Sequence, residues 1–239
     1  MKYVYGPVKS RRLGLSLGAS LTPYKICNFD CIYCQLGSTK EKTGQRKEYS
    51  KLEDILGELK SWLQNNPEEA GSLKFITISG FGEPTLSTKI GELISQIKKI
   101  TTVAVAVITN ASQLSNIEVR SSLLEADLIV PSLDAATQEI FSKIDRPLQG
   151  IRIESIIEGL ISLRKEFRGK IWLEVMLVRG VNDDLAQIRK LKEVIERINP
   201  DKIQLNSPVR TTTEKDVFAP DLKKLNKIKK ILGDKCEII

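Results

Sequence analysis

Not one of the chain's 239 residues is histidine. That absence excludes Ser-His-Asp and Cys-His catalysis, imidazole zinc or haem ligation, and any proton shuttle through a ring nitrogen. No apolar run approaches the roughly 18 residues that a membrane span requires, so no membrane association is expected. Lys2 follows Met1 with no apolar segment behind it. No secretory leader is therefore expected, and the reading is cytoplasmic. Cysteine is scarce, at four, and three of the four crowd together as Cys27, Cys31 and Cys34. In a reducing compartment such clustered thiols point to metal or redox work rather than disulfides. Chemistry in this chain has to come from Cys, carboxylates, Lys, Tyr or a bound cofactor.

Positive charge is in excess and unevenly spread. The net charge is +7, and residues 1–50 hold nine Lys/Arg against three Asp/Glu. A basic beginning suits a polyanion or an acidic redox partner, and equally a solvated lysine surface. The stretch Ser10-Arg11-Arg12 is a short basic patch suited to a phosphate or a carboxylate.

No repeat or low-complexity linker divides the chain, so residues 1–239 read as one domain. A basic segment at 1–14 precedes a cysteine loop at 24–38. Strand patterns at 15–21, 73–79, 102–108, 127–133, 170–178 and 201–206 alternate with helical spacing of apolar residues, and CEII near the end offers a seventh strand. Ser50-x-x-Glu53 and Ser115-x-x-Glu118 read as capping boxes, and Pro220 as the opening of a last helix. Apolar strands alternating with amphipathic helices predict an α/β fold with a parallel sheet and outer helices. Eight strands would close a full barrel; six make a partial (β/α)6 TIM-like barrel. Ligands in such folds sit at the carboxyl ends of the strands, which directs attention to the loops there.

The first of those loops carries Cys27-Asn28-Phe29-Asp30-Cys31-Ile32-Tyr33-Cys34. Thiolates are soft donors that favour iron–sulfur clusters, zinc or Cu(I). A tetrahedral structural zinc site needs a fourth Cys or a His, and only the distant Cys236 is left. Three thiolates on a short loop can instead hold three corners of a [4Fe–4S] cube, leaving one iron for an exogenous ligand. With the aromatic Tyr33 before its last cysteine, this loop resembles the signature of the radical S-adenosylmethionine (SAM) superfamily. The resemblance covers most of the chain. It implies Cys27, Cys31 and Cys34 as cluster ligands and catalytic centre, with SAM on the open iron. Reductive cleavage of SAM would then give a 5′-deoxyadenosyl radical that abstracts hydrogen from a substrate.

The same resemblance assigns further strand-end residues. Gly80-Phe81-Gly82-Glu83-Pro84 lies where the family has Gly-Gly-Glu-Pro, so Gly82 and Glu83 are expected at the SAM amino group. Tyr33, Thr109, Asn110, Ser132 and Asp134 complete the expected cofactor contacts, with Glu174 on the same strand face as Trp172 and Met176. Asp134 also fits a helix cap. Arg146, Arg179, Asn206 and Arg210 are the substrate candidates, since Arg suits carboxylate or phosphate. Within the superfamily, GPVKSRRLGLSLG and GFGEPTL resemble the small iron–sulfur oxidoreductases related to the wyosine tRNA base-forming enzymes. The lysine and extra cysteines of the wyosine enzymes have no match, so their reaction does not carry over. The cluster needs an electron, which implies a reducing ferredoxin or flavodoxin. RNA is one substrate class; a partner protein receiving a glycyl radical is another. A zinc-bound nucleic-acid-binding module is the reading from a different class.

Overall fold

A computed structural model describes residues 1–239. A hairpin of β1 (Val4–Ser10) and β2 (Gly14–Ala19) is followed by the cysteine loop, α1 (Leu52–Asn65) and α2 (Pro67–Ser72). Then come β3 (Phe75–Ile78), a short 3₁₀ turn at Pro84–Leu86, α3 (Ile90–Ile100), β4 (Ala104–Thr109), α4 (Ile117–Ser122) and β5 (Leu128–Pro131). After α5 (Gln138–Ile144) and α6 (Ile153–Glu166), the order is β6 (Lys170–Met176), α7 (Leu185–Ile198), β7 (Lys202–Asn206), α8 (Leu222–Leu232) and β8 (Cys236–Ile238). The eight strands lie in sequence order in one sheet. β2 to β8 run parallel, and β1 is antiparallel to β2. No helix is long and apolar enough to cross a membrane.

The expected partial barrel is present, with CEII as its seventh parallel strand. β1 is an addition the pattern hid. Its Gly6-Pro7 reads as a strand breaker, and the hairpin absorbs it as an irregularity between Tyr5 and Val8. Two capping boxes are displaced. Ser50 is buried without capping α1, and Glu48 takes the Leu52 amide (3.1 Å). Asn116, not Ser115, caps α4 through the Glu118 amide (2.8 Å). Asp221, not Pro220, caps α8 through the Lys224 amide (2.7 Å).

Alternation along the strands sorts side chains between two environments. Leu17, Ile76, Ile78, Val105, Val107, Ile129, Leu173 and Val175 face outward and join the main core with the helices. Leu13, Ala106, Leu128 and Val130, with Phe75, Ile108 and Trp172, form a separate cluster that fills the lumen. The β5–β6 ladder is short, pairing only Leu128 with Lys170 and Ile129 with Ile171. Above that point the strands part and meet again where Ser132 bridges Glu174. The carboxyl ends of β2 to β5 thus open onto one mouth, where the cysteine loop lies.

Candidate functional site

The cysteine loop is pinned by backbone hydrogen bonds to three other segments. Asp30 and Ile32 amides donate to the carbonyls of Asp145 (3.0 Å) and Ile144 (2.9 Å). Ile26 forms a bridge with Gly82, its amide reaching Phe81 O (3.2 Å) and its carbonyl accepting from the Glu83 amide (2.8 Å). A Cβ on Gly82 would sit 1.8 Å from Ile26 O, so only glycine permits this approach. On the other side, Thr213 Oγ1 donates to Cys34 O (3.0 Å) and the Glu214 amide to Ile32 O (3.2 Å).

All three loop thiols are free and half-buried. The Phe29 amide points at Cys27 Sγ (3.4 Å), and Cys31 Sγ donates to Asp145 Oδ1 (3.2 Å). The thiols are close enough to feel one another's charge, but no three donor side chains are already gathered at coordinating distance. Burial pushes the Cys27 thiol up to about 12. Burial and then the Asp145 charge push Cys31 up as well. Protein groups alone do not stabilise the Cys27 and Cys31 thiolates; a bound cationic iron centre would reverse that balance, because a coordinated thiol is deprotonated outright. Three soft donors on one short loop fit an iron–sulfur cluster, which Cys31 would join only by giving up its bond to Asp145. Cys236 cannot complete the set. It begins β8, at the amino end of the parallel strands, whereas the loop follows the carboxyl end of β2.

Beside the thiols lies a clamp around Glu83. Its Oε1 accepts from Thr85 N (3.0 Å), Thr85 Oγ1 (2.6 Å) and Thr109 Oγ1 (2.6 Å), and its Oε2 from Asn110 N (2.7 Å). Burial raises this carboxyl, against the lowering effect of those bonds. The clamp fixes the end of β4 to the turn after β3. Asn110 Nδ2 donates to Asn28 Oδ1 (2.8 Å), and Asn28 Nδ2 to Ser112 Oγ (2.7 Å), so buried Asn28 locks the loop to the end of β4. Asp134 is likewise engaged: Tyr33 Oη donates to Oδ2 (2.5 Å) and the Met176 amide to Oδ1 (2.7 Å). It spans the gap where β5 and β6 part; the cap position of α5 belongs to Thr137 instead. Tyr33 Oη also reaches Asp145 Oδ1 (3.2 Å). Burial pushes Tyr33 and Asp134 well up and Asp145 to about 6. Tyr33, Asn110, Ser132 and Asp134 surround one small cavity beside the cysteine loop.

The family model of the radical SAM superfamily matches residues 21–191, which span the loop, the clamp and this cavity. The chain belongs to the radical SAM superfamily. Members of that superfamily bind a [4Fe–4S] cluster and SAM and carry out radical catalysis. The chain is 40% identical over 237 residues to a Brachyspira hyodysenteriae protein named GTPase Obg, covering 99% of this chain. It spans only 34% of that relative's length. It is 32% identical over 234 residues to the UPF0026 protein MJ1312 of Methanocaldococcus jannaschii, covering 98% of this chain and 72% of that one. Among solved structures, TYW1 with a lysine–pyruvate adduct superposes with a TM-score of 0.68 at 23% identity, covering 91% of this chain and 72% of the other. That likeness concerns the fold.

The expected substrate residues of this radical SAM protein divide. Asn206 lies in the lumen, donating to Glu174 Oε1 (2.8 Å). The three arginines lie outside it. Arg146 pairs with Glu214 (2.5 Å), Arg179 stacks on Phe218 (5.1 Å to the centroid), and Arg210 reaches Gln35 (3.2 Å). Arg146 and Arg179 tie the segment after β7 to the segments after α5 and β6, and Arg210 ties it to the cysteine loop. Glu174 faces the lumen as expected, yet both oxygens are engaged within the chain, by Asn206 and Arg12. Asn28, Ser112 and Asp145 were missed. Asn28 stood inside the cysteine motif, but Ser112 and Asp145 carry no local signal, since their partners are 84 and 114 residues away.

Proposed function

We propose that the chain is a radical SAM enzyme in which Cys27, Cys31 and Cys34 hold a [4Fe–4S] cluster and SAM lies between the Gly82–Glu83 turn and the Ser132–Asp134 loop. The observation that carries this reading is the convergence of Tyr33, Asn110, Ser132 and Asp134 on one cavity beside the thiols, from three separate strand ends. When bound, the cluster and SAM supply reductive cleavage to methionine and a 5′-deoxyadenosyl radical, which takes hydrogen from the substrate.

The chain's own groups bind and orient. Gly82 lets the turn after β3 close against Ile26, and it is at this turn that an ammonium would be held. Ser132 keeps its hydroxyl free of protein partners and half-exposed, suited to a ribose hydroxyl. Glu83 and Asp134 act mainly by holding the Thr109–Asn110 and Met176 backbones in place. Glu174 lines the lumen beneath, where a substrate would enter. The segment after β7, joined to Arg146 through Glu214 and to Gln35 through Arg210, lies against the outer side of the loop. The whole chain works as one domain, since β1 and β8 extend the same sheet. Four free thiols suit a reducing, cytoplasmic setting, and a reduced ferredoxin or flavodoxin supplies the electron.

Anaerobic reconstitution tests the reading. A [4Fe–4S] species whose paramagnetic spectrum changes on adding SAM, with 5′-deoxyadenosine formed on reduction, is the expected result. Zinc alone in anaerobically prepared protein, with no cluster on reconstitution, overturns it.

A further inference from the structure

The middle of the cysteine loop is covered by the end of α5 and by the segment after β7. Its two ends reach the surface instead. Residues 24–26 on one side and 36–49 on the other line an open groove of about 660 Å³. The groove is tied directly to the backbone that carries the thiols. The Thr43 amide donates to Cys27 O (3.1 Å), and the Gly37 amide to Cys34 O (3.3 Å).

Three lysines line this groove, Lys25, Lys40 and Lys47, with Glu41 as its one carboxylate. No carboxylate neutralises the three. Lys25 Nζ donates to a carbonyl, Gly37 O (2.5 Å), Lys47 lies over the Tyr49 ring (5.1 Å to the centroid), and Lys40 is exposed. Unpaired cations in a concave surface focus a positive potential and steer an acidic partner inward. An aromatic anchor stands among them. Tyr24 is 67% exposed, yet its hydroxyl donates to Leu36 O and its ring rests against Phe81 (6.2 Å between centroids). A large side chain held in place before binding gives up little freedom on docking, and such aromatics centre protein interfaces.

We propose that this groove is the docking site of an acidic one-electron carrier protein, with Lys25, Lys40 and Lys47 meeting its carboxylates and Tyr24 its apolar centre. The assignment rests on the reading of the chain as a radical SAM enzyme, which needs an electron from outside. The groove lies where the backbone of the ligand loop meets the surface, so a carrier seated there stands beside the cluster. The carrier gives up one electron and the bound cluster takes it; no covalent bond forms or breaks and no proton moves. Electron-transfer encounters use small interfaces, which suits a groove of this size. A single-stranded nucleic acid, the other polyanion, needs open aromatic faces for its bases, and Tyr49 already carries Lys47 on its ring.

Reconstituted, oxidised protein is titrated into a fluorescently labelled acidic ferredoxin at low salt, following anisotropy; this arm needs neither SAM nor turnover. Affinity should fall as salt rises. The double variant Lys40→Glu/Lys47→Glu should weaken binding about tenfold or more. Lys227→Glu/Lys230→Glu makes the same charge change on exposed lysines of α8 and should weaken it less than about threefold. In stopped flow, cluster reduction by limiting reduced ferredoxin should slow in the first variant, while reduction by dithionite keeps the wild-type rate. No ferredoxin binding at low salt, wild-type affinity in the first variant, or equal loss in both variants overturns the proposal. So does a short single-stranded RNA that binds more tightly than ferredoxin and loses its affinity in the first variant, which assigns the groove to nucleic acid. Formation of 5′-deoxyadenosine with dithionite is read separately, so failure of the docking site and failure of the enzyme reading are distinct outcomes.

Discussion

Two loops flank β2, and they differ in how their chemistry is built. The loop after it packs three thiols and two aromatic rings into eight residues, its backbone held by bonds to the end of α5 and the segment after β7. The turn before it has two arginines and little else, and its partners lie on β6, β7 and beyond. The first loop presents donors that are spaced by the chain itself. The second acquires meaning only when the barrel curls and brings Glu174, Asn206 and Gln204 within its reach. A motif is local chemistry; a lumen is long-range chemistry.

Substitutions can break this contrast. The largest effect is expected from Cys31→Ala, which should abolish cluster-dependent 5′-deoxyadenosine formation; retained product removes the thiol from the assigned set. Gly82→Ala comes next. Its methyl would strike Ile26 O at 1.8 Å, so the bridge must part, with a loss of about 3 kcal/mol in chemical denaturation. A wild-type midpoint would show that the loop does not depend on this close approach. Glu83→Ala should cost about 2–4 kcal/mol, because Thr85, Thr109 and Asn110 are left with unpaired buried donors. It should also weaken SAM binding by calorimetry, and unchanged affinity would confine Glu83 to a purely structural part. The smallest effect belongs to Cys236→Ala. This buried thiol at the far end of the strands should yield about 1 kcal/mol of destabilisation and an unchanged iron content. Loss of iron in that variant would reinstate the terminal cysteine as a ligand.

Legibility followed the same division. Apolar alternation located six parallel strands and CEII within a few residues, because burial on both faces dictates their composition. It missed β1, where Gly6-Pro7 interrupts the pattern and pairing to β2 alone makes the strand. The capping boxes were drawn to Ser50 and Ser115, whereas Glu48 and Asn116 satisfied the amides. Three or four residues of spacing allow more than one capping solution, and tertiary packing selects among them. In the site, the thiols, Tyr33, Gly82 and Ser132 were marked by type and position. The carboxylates Glu83, Asp134 and Glu174 were also placed at the mouth and lumen, but their oxygens turned to protein partners that no spacing reveals. The loop arginines, chosen by charge preference, have partners within the chain that no spacing reveals, Arg146 in Glu214 and Arg210 in Gln35.

By itself, the order of residues determined the alternation of strands and helices, the absence of imidazole chemistry and the soft-donor loop, because each depends on neighbours a few positions apart. Only the tertiary structure decided that Cys236 is out of reach, that Asp145, 114 residues away, holds Cys31, and that Arg12 reaches Glu174 while Arg11 reaches Asn206. The physical reason is distance along the chain: closure of a curved sheet creates contacts across more than a hundred residues, and no local periodicity encodes them.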